Sequence, residues 1–317
     1  MVSGELKKSL EKMHYATVGK RGAVQICMWT KESLLDKGFC YKQKFYGIRS
    51  HLCCQMTPVV DTCDHRCIFC WRPWEIAYSG GAEGWDAPKE LIEKCVEAQR
   101  IKLSGFGGNP KVNRKKFEEA QNPMHFAISL AGEPTLYPYL PELIKELHAQ
   151  GKTSFLVSNG QHPEMLAKLD REGALPTQLY ISVDAPTEEL YKKIDQPLRA
   201  DGWQRLMKTL SMLRDLNTRK VLRFTLIRGY NMDNLDKWAD IVRLAECDNL
   251  MIECKAYMHV GYSRKRLKQE NMPTHDEIRS FSEELAKRLG WKILDEQVRS
   301  RVVLLAKEDF KGRIMHF

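Results

Sequence analysis

Cys63, Cys67 and Cys70 stand at C-x3-C-x2-C spacing in the run CDHRCIFC. Three thiolates this close can hold three corners of a cubane iron–sulfur cluster and leave the fourth iron open to a small molecule. An electron-transfer cluster normally takes four cysteines, so three indicate a cluster that does chemistry. A zinc site usually shows C-x2-C pairs or Cys/His sets that close four ligands. His65 is a fourth ligand on paper, but it follows Cys63 by two residues, awkward for tetrahedral closure. A disulfide framework suits a short secreted chain, not one of 317 residues with no signal peptide.

The other cysteines extend the argument. Seven of the ten fall between residues 27 and 70, and only Cys95, Cys247 and Cys254 lie outside, where small buried hydrophobes are the expected reading. Cys27, Cys40 and Cys53 are too far apart in sequence to make one compact ligand loop, although folding could bring them together. By spacing alone, buried thiols or a zinc site are the lesser reading. Cys54 adds a thiol beside Cys53, and neighbouring strand residues face opposite sides.

The elements that must position these residues form a βα rhythm. Residues 51–60 read as a first strand, followed by strands at 125–130, 153–158, 178–183, 221–226 and 249–255. Helical apolar spacing marks 87–104, 141–149, 163–172, 203–216, 235–245 and 274–289. Alternation of this kind predicts a parallel sheet. Six units predict a partial (β/α)6 TIM-like barrel with a lateral mouth, the cluster loop following its first strand. Active sites of βα barrels lie at that C-terminal face. Residues 1–50 are expected as an N-terminal extension, 51–290 as the barrel, and 291–317 as a β-rich tail packed on it, with strand-like runs at 291–294 and 302–306.

Polar groups recur after the strands: Gly132-Glu133-Pro134, Asn159-Gly160, Ser182 with Asp184, and Glu253 with Lys255. Singly they read as turn and cap residues. Their shared face beside the cluster loop predicts a ligand pocket.

Hydrophobic residues make up 43% of the chain, enough for a sizeable core, and the formal net charge is +9. A basic balance favours polyanionic partners. The N-terminal stretch has no apolar core of a secretory signal. No run approaches the roughly 20 apolar residues of a membrane span, so a cytoplasmic protein with no membrane contact is expected.

The cysteine loop, the aromatic Phe69 before its last cysteine, and Gly132-Glu133-Pro134 after the next strand resemble the radical S-adenosylmethionine superfamily. That resemblance implies S-adenosyl-L-methionine chelated to the open iron. It implies that Glu133 meets the cofactor's amino group and that Asn159, Ser182 and Asp184 meet its ribose and carboxylate. CWRP at residues 70–73, CYKQKFYG at 40–47 and SHLC at 50–53 are similar to the archaeal 4-demethylwyosine synthase family of the wybutosine pathway. This second resemblance implies two 4Fe-4S clusters, the auxiliary one on Cys27, Cys40 and Cys53. It also implies a radical carbon–carbon lyase that joins N1-methylguanosine of tRNA-Phe to pyruvate. Lys42 matches the family's lysine, as a Schiff-base amine or a cationic hydrogen-bond donor to pyruvate; in an arbitrary basic protein it would be a solvated surface lysine. An external electron donor, such as flavodoxin or ferredoxin, and a monomeric state are expected. A peptide maturase with an auxiliary cluster and a zinc-stabilised nucleic-acid-binding protein are the alternatives.

Phosphate contacts are expected from two basic runs, Lys111 with Arg114, Lys115 and Lys116, and Arg264 with Lys265, Arg266 and Lys268. Each residue reads equally as solvated surface. Tyr257 and His259, or Trp71 and Trp74, are candidate stacking partners for a base.

Overall fold

Six short β-rich runs separated by helices have one economical solution, a parallel sheet with its crossovers on one side. The computed structural model of the chain describes residues 2–77 and 84–317. An N-terminal hairpin of β1 (Ala16–Val18) and β2 (Gly22–Gln25) precedes the parallel strands β3 (Cys53–Thr57), β4 (His125–Ile128), β5 (Thr153–Ser158), β6 (Gln178–Ser182), β7 (Arg219–Leu226) and β8 (Leu250–Ala256). Two C-terminal strands, β9 (Lys292–Gln297) and β10 (Val302–Ala306), follow. The order is β1-β2-β3-β4-β5-β6-β7-β8-β10-β9. β3 to β8 pair in parallel, and the outer pairs are antiparallel. This is the expected partial (β/α)6 barrel.

Period-two alternation divides the core. On β5, Leu156 packs in the large cluster with helix residues such as Leu143 and Leu166, while Phe155 packs on the opposite face with Tyr41, Phe45 and Tyr46. The second face is the interior of the half-barrel, filled at one end by the helix Tyr41–Tyr46. The same alternation places Cys54, fully buried, in the outer core and Cys53 on the inner side.

Most helices begin or end where residue chemistry demands. Thr274 and Glu277 form a capping box for His275–Leu289, and Pro88 and Pro163 open their helices. Strand β4 stops at Ile128, where the Ser129 amide makes the last ladder bond to the Met56 carbonyl and the Leu130 amide folds back onto the same oxygen.

At both ends the chain extends the sheet: residues 16–25 form a hairpin paired on β3, and the β-rich tail joins the last parallel strand through β10 on β8. The Arg21 side chain lies at the hairpin turn and grips Asp61 through Nε at 2.9 Å and Nη2 at 2.8 Å, with both side chains buried. The hairpin thereby holds the entry to the cysteine loop. Breaking one side of such a pair typically costs about 3–5 kcal/mol. Among the described residues, no helix is long and apolar enough to cross a membrane.

Candidate active site

The loop after β3 carries Cys63, Cys67 and Cys70, and backbone contacts from three directions shape it. The Glu133 amide donates to the Thr62 carbonyl at 2.9 Å, and the Ile68 amide to the Ile194 carbonyl at 2.9 Å. Gly132 has φ +64°, and a Cβ there would lie 1.8 Å from the Val59 carbonyl oxygen, so only glycine allows this approach. The three cysteines line one cavity of about 210 Å³. Burial pushes the Cys63 and Cys67 thiols up, with the carboxylates of Glu133 and Asp195 acting the same way.

Zinc closure through His65 is a poorer fit. The His65 Nε2 is already engaged 2.8 Å from the Tyr191 hydroxyl. His65, Cys67 and Asp195 place ligand atoms within 4.8 Å of one another. That set would use only one of the three cysteines and would leave the C-x3-C-x2-C spacing without a purpose.

Glu133, Asn159, Ser182 and Asp184 line the same cavity. Glu133 is buried and caps the next turn, its Oε1 accepting from the Thr135 hydroxyl at 2.6 Å and its Oε2 from the Asn159 amide at 2.9 Å. Burial raises its carboxyl above the usual range, which a bound ammonium would reverse. Asp184 accepts from the Thr225 amide at 2.9 Å and is raised to about 6 by burial. Asn159 Nδ2 lies 3.7 Å from Cys63 Sγ.

Two cations share the wall. Lys255 on β8 is lowered to about 8, first by burial and then by Arg223, and its Nζ donates to the Ser300 carbonyl at 2.7 Å. Arg223 on β7 was missed in the sequence. Burial works to lower its pKa, but Tyr41 and Glu253 outweigh that and the net shift is upward. The signal available was a guanidinium between Leu222 and Phe224 in an apolar strand, which must face away from the core that buries both neighbours.

The upstream cysteines converge. Cys27 and Cys40 immediately precede the helices Met28–Leu34 and Tyr41–Tyr46, and Cys53 opens β3. After burial, Cys27 and Cys40 are the largest influences raising the Cys53 thiol. Cys40 is pushed up to about 12 by burial and by Cys27. Lys42 lies among them with Nζ 4.3 Å from the Tyr180 ring centre and 5.6 Å from that of Phe155. Burial lowers its amine. Tyr41 and Tyr46 both donate to the buried Glu253, at 2.8 and 2.7 Å, which fixes the helix that carries Lys42.

The radical SAM superfamily model matches residues 57–242, and a model for wyosine base formation matches residues 248–307. A tRNA 4-demethylwyosine synthase of Pyrococcus horikoshii is 50% identical over 307 residues, covering 96% of this chain and 89% of that protein. The chain belongs to the radical S-adenosylmethionine tRNA 4-demethylwyosine synthase family. The family protein of Methanocaldococcus jannaschii is 42% identical, with 98% of each chain covered. A solved structure of TYW1 with a lysine–pyruvate adduct bound superposes with a TM-score of 0.89 at 39% identity, over 99% of this chain and 100% of that one.

Membership of the synthase family draws attention to the surfaces a tRNA could reach. Lys111, Arg114 and Lys115 are exposed, but the helix Arg114–Glu119 that carries the last two is docked at its N-terminus by the Asn113 amide on the Leu34 carbonyl, beside the segment that enters β3. Lys116 is engaged with Asp36 at 2.6 Å. Arg264, Lys265 and Lys268 are exposed after β8, at the end of the sheet that carries the cysteine loop. Arg266 leaves the expected phosphate set because its guanidinium turns inward to backbone carbonyls. Trp71 is 37% exposed and lines the cavity. Tyr257 is buried, with its hydroxyl 3.1 Å from His259 Nδ1. Trp74 packs 4.7 Å from Arg266.

Proposed function

We propose that the chain condenses N1-methylguanosine of tRNA-Phe with pyruvate to give 4-demethylwyosine, as a carbon–carbon lyase. The observation that carries the reading is the meeting, within one half-barrel, of the cysteine-loop cavity and of Lys42 with the upstream thiols. The residues present fit an open cluster at Cys63, Cys67 and Cys70 and an auxiliary cluster at Cys27, Cys40 and Cys53. With S-adenosylmethionine bound, the first cluster supplies the electron that releases a 5′-deoxyadenosyl radical.

The residues of this chain hold what reacts. Glu133 accepts from the amino group of the methionine moiety, while Asn159, Ser182 and Asp184 hold its ribose and carboxylate. The cavity wall keeps water from the radical. The N1-methyl hydrogen is not acidic, so no base on the wall can remove it, and hydrogen abstraction by the radical is the available route. Lys42 holds pyruvate and makes its carbonyl electrophilic, and a lowered amine pKa favours the neutral nucleophile needed for a Schiff base. The methylene radical adds to that carbon, the C1–C2 bond of pyruvate then breaks so that the carboxyl carbon leaves with the unpaired electron, and the exocyclic amine of the guanine closes the ring on C2 as the Lys42 amine or water departs. Trp71 is positioned to stack on the extruded base. Electrons come from an external donor such as flavodoxin or ferredoxin.

Nucleoside mass analysis after anaerobic incubation with methylated tRNA, pyruvate, S-adenosylmethionine and reductant tests the whole reading; no tricyclic nucleoside with wild-type protein would refute it. Iron content tests the pair of clusters. Two cubanes predict about eight irons per chain, and full activity at about four would remove the auxiliary one. Binding of tRNA should weaken steeply with salt. Exchanging Arg264, Lys265 and Lys268 together for alanine should lower the log–log salt slope by about 2–3. An unaltered slope would move the phosphate contacts elsewhere.

A further inference from the structure

Arg266 follows the turn Gly261–Lys265 beyond β8, and its side chain is only 12% exposed. Its Nη1 donates to the carbonyls of Cys67 at 2.9 Å, Ile68 at 3.2 Å and Cys70 at 2.9 Å. Its Nη2 donates to the Arg72 carbonyl at 3.0 Å, and its Nε to Glu75 at 3.1 Å. One side chain therefore reaches four carbonyls of the cysteine loop, two of them on cysteines; the Cys67 carbonyl also accepts from the Cys70 amide at 3.1 Å and Trp74 Nε1 at 3.3 Å, and the Arg72 carbonyl from the Trp74 amide at 3.0 Å. A loop that wraps a metal centre has no helix or sheet to take up its carbonyls, and a buried carbonyl needs a partner. A planar guanidinium offers five donors in a fixed fork, which a lysine cannot reproduce.

The segment carrying Arg266 is itself docked on the loop. The Tyr262 amide donates to the Trp71 carbonyl at 2.8 Å. Gly261 has φ +58°, and a Cβ there would lie 2.4 Å from the Trp71 oxygen. The Tyr257 and Ser263 hydroxyls, 2.9 Å apart, fasten the turn to the end of β8. β3 and β8 are the first and last parallel strands of the sheet and do not pair with each other. The loops that follow them meet through Arg266, which links the two ends of an open barrel at its rim.

We propose that Arg266 is a positioning residue of the radical site. It holds the cysteine loop in its ligating shape before any cluster binds, and it sets a guanidinium, offset in part by the more exposed Glu75, beside the cluster. The proposal rests on reading Cys63, Cys67 and Cys70 as the cluster ligands. The charge favours the reduced, more negative cluster and so raises its reduction potential.

Hydrogen exchange on the metal-free chain tests the first part without any activity. In R266Q the amides of residues 66–72 should exchange roughly tenfold faster or more, with amides in the middle of the sheet unchanged. E75Q removes only the partly exposed partner and should exchange at wild-type rates. R266K keeps the charge and loses the fork, so its loop should also exchange fast. After anaerobic loading, the cluster of R266Q should titrate at a lower potential than wild type by spectroscopic titration, with R266K nearer wild type. Wild-type exchange in R266Q, or an unchanged potential in R266Q at full iron, overturns the proposal. If R266Q does not fold, R266K carries the exchange measurement, and wild-type rates there overturn it. A wild-type chain that takes up no iron would instead refute the cluster reading, with the exchange result standing independently.

Discussion

Alanine at Cys67 should abolish formation of 5′-deoxyadenosine from S-adenosylmethionine, and with it every later step. Cys67 sits in the middle of the triad, half-buried with its Sγ 3.2 Å from Asp195, and its carbonyl is one of those held by Arg266. A cubane left with two thiolates loses the geometry that keeps one iron open and three closed. The expected loss is at least about 10³-fold, since the uncatalysed homolysis has no competing route in this cavity. The measurement is 5′-deoxyadenosine release under dithionite, with iron counted in the same sample. Retained cleavage at near wild-type rate would show that the triad does not hold the reactive centre. Fold should survive, because the side chain is small and lies in a loop outside the hydrophobic core.

Alanine at Lys42 should separate the two halves of the reaction. Cleavage of S-adenosylmethionine should persist, while the tricyclic nucleoside falls by roughly 10³-fold or more, the scale on which holding a reactant in place counts. Arginine at Lys42 divides the roles further. It keeps a cation and hydrogen-bond donors but cannot form an imine. Product from K42R would favour charge and hydrogen bonding; none, together with a borohydride-trapped pyruvate mass on wild-type Lys42, would favour the Schiff base. Full product formation by the alanine variant would remove Lys42 from the mechanism. The helix that carries it is anchored by Tyr41 and Tyr46 on Glu253, so the substitution should leave the wall in place.

Local chemistry was the legible part. The βα rhythm was readable because each strand is a short apolar run bounded by turn residues; β5 and β10 lie at the expected bounds. The N-terminal hairpin was not readable. Strands of three and four residues are too short for alternation to emerge, and the helix Tyr41–Tyr46 spans fewer than two turns. Cys54 was correctly set against Cys53 because alternation along a strand is a local rule. Arg223 escaped notice because, although alternation turns it away from the core of its neighbours, only the assembled sheet shows that the opposite face is the wall of the cavity.

The sequence alone determined that three cysteines within eight residues share one loop, since so short a stretch of chain cannot separate them far. It also determined the strand–helix alternation, through periodicity that each segment carries by itself. Only the tertiary structure decided that Cys27, Cys40 and Cys53 come together beside Lys42, that Arg223 and Lys255 share the wall with Glu133, and that Arg266 turns inward to the cysteine loop while Arg264, Lys265 and Lys268 stay exposed. These contacts join residues tens to hundreds of positions apart. Strand order and sheet curvature set their distances, and neither is encoded in any one window of the chain.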